Sequence, residues 1–137
     1  MKFPHVQTDP NELDPEEGIL PINEASIRGF TEIVRILLDY GASVYVSDPF
    51  ENTPLIAAAS NGHLNCVQLL HSHGCPSIFP NGSAYTALGM AALQNHSDVI
   101  EYLLTDIVQI GIELSIAVLH RIKKFSGAIE ISFTLLN

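Results

Sequence analysis

Apolar residues in the middle of the chain recur at helical spacing, and the pattern itself returns after 33 residues. Leu64, Val67 and Leu70 lie three residues apart, so they favour one side of a short α-helix and leave the other side polar. Repetition at a fixed period of this length predicts a stack of small units with the same structure. The residues that match at this spacing are Gly29 with Gly62, Val34 with Val67, Leu37 with Leu70, Gly41 with Gly74, and, more weakly, Val67 with Ile100 and Leu70 with Leu103. Such a stack presents a surface and does not by itself bring catalytic chemistry.

Residues 48–78 show what one unit contains. The stretch 48–52 is turn-forming, and Thr53 and Pro54 then predict a helix start. Threonine can accept a hydrogen bond from a free backbone N–H, and proline fits the first helical position. A short helix with small side chains is followed by an amphipathic one, and Gly74 predicts the end of the second, since glycine adopts the left-handed conformation easily. The unit is therefore a pair of helices preceded by a turn.

This unit resembles an ankyrin repeat. The resemblance is carried by Thr53-Pro54-Leu55, Ala58-Ala59, Gly62-His63, Val67, Leu69-Leu70 and Gly74. The units on either side match in the same register, so the resemblance covers about residues 15–104. It implies an all-α solenoid of stacked helix-turn-helix units, with short hairpin or turn fingers projecting at the side. It also implies a protein-interaction function.

The family's Thr-Pro-Leu-His sequence is incomplete in all three units. Its last position holds Asn23, Ile56 and Gly89 in place of the histidine that usually braces adjacent hairpins. We therefore expect looser fingers and modest stability.

The repeats divide the chain into three parts. Residues 1–14 predict a mobile acidic N-terminal arm, residues 15–106 hold three repeats (about 15–47, 48–80 and 81–106), and residues 107–137 predict a degenerate fourth repeat or an apolar C-terminal cap. The fourth-repeat hypothesis places a first helix over 114–124 and a second one after it. The apolar end favours self-association, further repeats that are missing, or a regulatory fragment of a larger enzyme or channel truncated near Asn137.

Charge and cysteine content narrow the class of partner. The formal net charge is -9, which argues against nucleic acid or an anionic membrane and favours a basic or mixed protein partner. The longest apolar run, 107–119, is too short to span a bilayer, so we expect no membrane insertion. Two cysteines make no disulfide framework, and the N-terminal residues show no secretory signal. We expect an intracellular protein, cytoplasmic rather than nuclear.

The sequence shows no arrangement of residues that is typical of catalysis. It has no glycine-rich phosphate loop, no nucleophile elbow and no paired histidines of a zinc protease, so we expect no enzyme activity, no catalytic residues and no cofactor. One group could be considered for zinc, namely Cys66, His71, His73 and Cys75. Their spacing is not a usual zinc arrangement, and each position has a structural explanation in the repeat pattern. We therefore predict no metal site and keep zinc binding only as a weaker alternative.

The resemblance implies that a partner lies along the concave face formed by finger tips and first helices. Carried onto this sequence, that face, called the contact face below, consists of Glu16, Glu17, Ile19, Phe50, Asn52, Ser60, Asn61, Ser83, Tyr85, Leu93 and Gln94. Phe50 and Tyr85 are the expected anchors, because aromatic residues are favoured at interfaces. The alternative is that each ring folds back onto the neighbouring hairpin. The function that we predict is a protein-interaction module or scaffold.

Overall fold

Six α-helices and the turns between them make up the part of the chain whose backbone the structure describes. The structure, a computed structural model, describes the backbone of residues 9–136 and the side chains of residues 9–121. Over this part of the chain no strand is present, which confirms the all-α solenoid. The helices are α1 (Pro21–Arg28), α2 (Thr31–Asp39), α3 (Pro54–Ser60), α4 (Leu64–Ser72), α5 (Ala87–Leu93) and α6 (Ser97–Leu136).

The first helix of the second repeat begins where the sequence predicts it, at Thr53 and Pro54, and the third repeat begins in the same way. The hydroxyl of Thr53 accepts a hydrogen bond from the N–H of Ile56, and the hydroxyl of Thr86 accepts one from the N–H of Gly89, both at 3.2 Å. These bonds satisfy backbone donors that have no partner inside the helix. Helix α1 begins at a proline without such a cap. Its start therefore rests on the fixed φ of proline and on packing.

The core lies between neighbouring repeats. Helix α3 contacts α1 on one side and α5 on the other. Within the first two repeats, α1 contacts α2 and α3 contacts α4. Residues 54–59 of α3 are all buried. Their small alanine side chains let the adjacent helices approach closely, so the hydrophobic burial that stabilises one repeat comes largely from its neighbours.

Two histidines join consecutive repeats in the same way. The ring of His63 lies 2.8 Å from the carbonyl oxygen of Ile27, and the ring of His96 lies 2.9 Å from that of Ser60, each through Nε2. A carbonyl oxygen only accepts, so Nε2 carries the proton in both. Each ring rests on a glycine of the preceding repeat, Gly29 or Gly62, with φ of 72° and 74°. A Cβ at either glycine would approach the ring closer than 3.0 Å.

The chain before α1 is attached to the first repeat. The amide of Asn11 donates to the carbonyl oxygen of Gly41 at 3.1 Å, and its oxygen accepts from the N–H of Ser43 at 2.7 Å. Residues 9–14 thus differ from the mobile arm that the sequence predicts, because one side chain satisfies two backbone groups of a distant loop. Residues 1–8 of the predicted arm lie outside the described residues.

The C-terminal part differs from the predicted fourth repeat. The chain divides into two compact units, Met1–Leu103 and Leu104–Asn137, and in the second unit α6 continues as one helix to Leu136. The helix-turn-helix expected over 107–137 is therefore replaced by continuous helix. The reason is local, since 105–126 contains no proline and only one glycine to interrupt the backbone hydrogen bonds.

Helix α6 contains a longer apolar span than the run 107–119. By length and composition alone, Ser97–Arg121 could cross a membrane, and its apolar 18-residue window has a mean hydropathy of 1.6. This span is longer than the apolar run 107–119, because it includes the apolar residues before Thr105. The absence of membrane insertion stays a prediction.

Candidate interaction surface

Three similar turns precede the first helices and form the fingers (residues 14–19, 48–52 and 81–85). In each finger one side-chain oxygen accepts hydrogen bonds from two backbone N–H groups. The accepting atom is Oδ1 of Asp14 (both bonds 2.8 Å), of Asp48 (both 2.9 Å) and of Asn81 (both 3.0 Å). Aspartate and asparagine suit this role because their short side chains can bond to backbone two to four residues further on. The fingers are thus ordered locally before they contact anything else.

Asparagine side chains also connect one finger to the next. The amide of Asn23 donates to the carbonyl oxygen of Asn52 at 2.8 Å, and the amide of Asn81 donates to the side-chain oxygen of Asn52 at 2.9 Å. The N–H of Gly82 donates to the carbonyl oxygen of Phe50 at 2.9 Å. Asn23 stands where the family has its bracing histidine. The expectation that fingers without this histidine are loose is therefore corrected, since asparagines and backbone groups bridge them.

The two expected aromatic anchors differ in environment. Phe50 is 74% exposed although its backbone is bonded to the third finger, so its ring does not fold back onto the neighbouring hairpin. Tyr85 is 43% exposed, and its ring edge lies 3.5 Å from the place that a Cβ on Gly89 would occupy. Tyr85 therefore leans on the start of its own first helix. Leu93, at the other end of that helix, is 57% exposed and adds a third apolar side chain to the contact face.

The polar residues of the contact face fall into two groups. Asn52 bonds within and between fingers, and the amide of Asn61 donates to the carbonyl oxygen of Ala57 at 2.8 Å, so these two side chains already have structural partners. Ser60 contributes its carbonyl oxygen to the His96 bond. The remaining polar members, all exposed, are Glu16, Glu17, Ser83 and Gln94. The apolar member Ile19 is half-buried. Contact of these residues with a partner stays a prediction.

The first two fingers carry acidic side chains, whereas the third finger has no charged residue. Arg28 and Arg35 are paired with Glu24 and Glu32 of their own helices, and both pairs are exposed. Exposed pairs of this kind contribute about 0–1 kcal/mol to stability. Their local effect is to cancel charge on α1 and α2 and to leave the carboxylates of the first finger as the main charges there.

The four residues considered for zinc have other contacts. Their polar atoms lie near different groups, which are Thr31 Oγ1 at 3.2 Å from Cys66 Sγ, Tyr102 OH at 2.9 Å from His71 Nδ1, Leu69 O at 2.9 Å from His73 Nδ1, and Val44 O at 3.3 Å from Cys75 Sγ. Burial raises the pKa of the Cys75 thiol to about 11, so it stays protonated and is a poor ligand at neutral pH. Among the residues with described side chains, no group of three or more histidine, cysteine, aspartate and glutamate residues is placed to hold a metal ion.

Comparison with known proteins agrees with this architecture. A family described as ankyrin repeats (3 copies) matches residues 4–75 and 22–115. The serine/threonine-protein kinase VIK of Arabidopsis thaliana is 38% identical over 65 residues, which are 47% of this chain and 15% of the kinase. The human BCL-6 corepressor-like protein 1 is 31% identical over 103 residues, covering 74% of this chain and 6% of that protein. The ankyrin repeat and KH domain-containing protein mask-1 of Caenorhabditis elegans is 32% identical over 88 residues, which are 64% of this chain and 3% of that protein. The chain thus spans at most 15% of these three relatives.

Proposed function

Because the chain belongs to the ankyrin-repeat family, we propose that it is a non-catalytic module that binds a protein or peptide partner on its contact face. The observation that carries the proposal is Phe50. Its carbonyl oxygen accepts a hydrogen bond from the third finger, while the residue as a whole is 74% exposed. An aromatic side chain on an ordered backbone loses little conformational entropy on binding, and such residues often supply much of the binding energy.

The proposal includes the chemical class of the partner. The net charge of -9 and the carboxylates of Glu16 and Glu17 favour a basic or mixed protein surface over nucleic acid. An intracellular location, cytoplasmic rather than nuclear, is part of the same proposal. The two cysteines support it, since both are buried as free thiols, and this state is usual in a reducing compartment.

The test is affinity capture with a matched control. Immobilised wild-type protein is compared with Phe50→Ala/Tyr85→Ala and with Tyr40→Ala/Tyr45→Ala, which removes two aromatics that are 79% and 70% exposed outside the fingers. Truncating an anchor costs about 2 kcal/mol or more of binding free energy, which is roughly thirtyfold in affinity. We expect the first variant to lose a protein that the control variant retains. Equal recovery by both variants, with helical circular dichroism unchanged, would contradict the contact face.

A second candidate is that these repeats regulate a larger protein. The support is length, since the matched relatives are several times longer than this chain and one of them is named as a protein kinase. In that case the contact face binds another domain of the same polypeptide. Sequencing of full-length transcripts distinguishes the two candidates. A stop codon directly after Asn137 removes the second one, and a reading frame that continues into another domain supports it.

A further inference from the structure

An apolar groove lies at the N-terminal side of the first repeat. It has a volume of about 650 Å³, and all of its lining residues lie between Asp9 and Ile33. Its floor includes Phe30 and Ile33, each 48% exposed, and its wall includes Leu13, which is 42% exposed. Three large apolar side chains around one groove leave a contiguous apolar surface open to water, which is unfavourable unless something covers it.

The repeat pattern shows what kind of structure covers this surface elsewhere. Ile33 corresponds to Cys66 and Val99, which occupy the same position in the second helices of the next two repeats. Both of these are 0% exposed. The counterparts of Phe30 are His63 and His96, which are half-buried and rest on a glycine of the preceding repeat. The groove therefore has the shape of a surface that packs against polypeptide.

The segment before α1 forms the wall of the groove and holds it in place. Asn11 is fastened to Gly41 and Ser43 by its two hydrogen bonds, and Asp14 bonds to Ile19 through its N–H at 2.8 Å. Leu13 lies between these two attachments. The wall is consequently formed before a ligand arrives, which lowers the entropy cost of binding.

The charge of the rim selects among polypeptide partners. Asp9, Glu12, Asp14 and Glu24 stand around the groove with one cation, Arg28, so the formal net charge of these five is -3 (four negative, one positive). Arg28 is paired with Glu24. A partner with lysine or arginine beside its apolar side chains is attracted to this rim, whereas an acidic partner is repelled.

We propose that this N-terminal groove binds a basic amphipathic segment of a partner protein, with apolar side chains against Phe30 and Ile33 and basic side chains beside Asp9 and Glu12. The proposal goes beyond the contact face, with which the groove shares Ile19. The two surfaces can be tested separately, because Phe50 and Tyr85 do not line the groove.

The experiment measures binding of three synthetic peptides by fluorescence anisotropy. The first contains leucine and lysine with the leucines at helical spacing, the second replaces every lysine by glutamate, and the third scrambles the first so that its leucines share no face. Wild-type protein is compared with Phe30→Ala/Ile33→Ala. The control is Ile36→Ala/Tyr40→Ala, which removes side chains on and directly after α2 that are 52% and 79% exposed and do not line the groove.

We expect the leucine–lysine peptide to bind wild type and the control equally, and to bind the groove variant at least about tenfold more weakly. Glu12→Lys, a substitution of an exposed side chain, should also weaken binding and reduce its dependence on salt. Phe50→Ala/Tyr85→Ala should bind as wild type does, so a failure here is distinguishable from a failure of the contact face.

Several results would overturn the proposal. They are absence of binding, equal binding of the glutamate or scrambled peptide, and binding that survives both the groove variant and Glu12→Lys. Analytical ultracentrifugation of the chain alone tests whether the groove is instead occupied by a second copy of this chain. If the chain self-associates and Phe30→Ala/Ile33→Ala abolishes the association, the groove belongs to a second copy rather than to a basic partner.

Discussion

Replacing Gly62 by alanine tests whether the stack depends on the histidine contacts between repeats. Gly62 has a φ of 74°, a conformation that strains any residue with a Cβ. The added Cβ would also overlap the ring of His96 closer than 3.0 Å. To relieve the overlap the ring must move, and its hydrogen bond to the carbonyl oxygen of Ser60 is then lost. The substitution thus combines a backbone effect with an effect between repeats.

The two effects can be estimated separately. Left-handed backbone costs about 1–2 kcal/mol for a residue other than glycine, and a lost hydrogen bond costs about 1 kcal/mol. Alanine restricts the unfolded chain, which offsets about 0.5 kcal/mol. We therefore expect Gly62→Ala to lower the free energy of unfolding by about 1.5–2.5 kcal/mol. Gly41→Ala is the matched control, because Gly41 has a φ of 94° but nothing lies within 4 Å of its Cβ position. It should show the backbone effect of about 1 kcal/mol alone.

The assay is urea denaturation followed by circular dichroism for wild type, both alanine variants, His96→Ala and Gly62→Ala/His96→Ala. Without the ring there is nothing to overlap, so the double variant should lose less than the sum of the two single losses. The difference should be about 1 kcal/mol. Additive losses, or a Gly41→Ala loss equal to that of Gly62→Ala, would refute the explanation that His96 makes Gly62 necessary.

Three further predictions concern a finger, the core thiol and the C-terminal unit. Ala84→Gly should raise the free energy of unfolding by about 0.5–1 kcal/mol, because Ala84 has a φ of 65° where the first finger has Gly18, and a lower urea midpoint would contradict this. Burial raises the pKa of the Cys75 thiol from 9.0 to about 11, so the thiol ionises at lower pH in the unfolded chain than in the folded one. Wild type should therefore lose stability relative to Cys75→Ala as pH rises from about 9 to 11. The difference between their urea midpoints should shrink over this range. A pH-independent difference would show that Cys75 contributes by packing alone. A chain ending at Asp106 should keep one cooperative thermal transition, since the buried apolar residues among those described all lie between Leu20 and Leu103, and a broad melt would mean that the second unit supports the stack.

Local signals explain why the helix boundaries could be predicted. Thr53 caps its helix as expected, Thr86 does the same one repeat later, and Gly74, with a φ of 83°, follows the end of α4. Capping and left-handed glycine depend on residues a few positions apart, so they can be read from the sequence. The turns of the fingers also depend on local bonds, since Asp48 and Asn81 each accept a hydrogen bond from a backbone N–H of their own turn.

The interpretation of the C-terminal part shows the limit of pattern matching. Residues 127–136 echo the spacing of a second repeat helix, and this similarity suggested a fourth repeat. A repeat also requires a turn between its helices, and α6 runs to Leu136 without one. Matching apolar positions indicates helix, but it does not show where a helix stops when proline and turn residues are absent.

The sequence by itself determined the class of this protein, because a period of 33 residues and the helix start and stop signals within the repeats specify how the backbone folds and stacks. It could not show that the side chain of Asn23 donates a hydrogen bond to the carbonyl oxygen of Asn52, since the bond joins residues 29 positions apart. Only the tertiary structure decided which equivalent positions stay open. Ile33 is 48% exposed whereas Cys66 and Val99 are 0% exposed, although all three occupy the same position in the repeat. The physical reason is that exposure depends on whether a neighbouring repeat covers the surface, and that neighbour is not part of the local sequence.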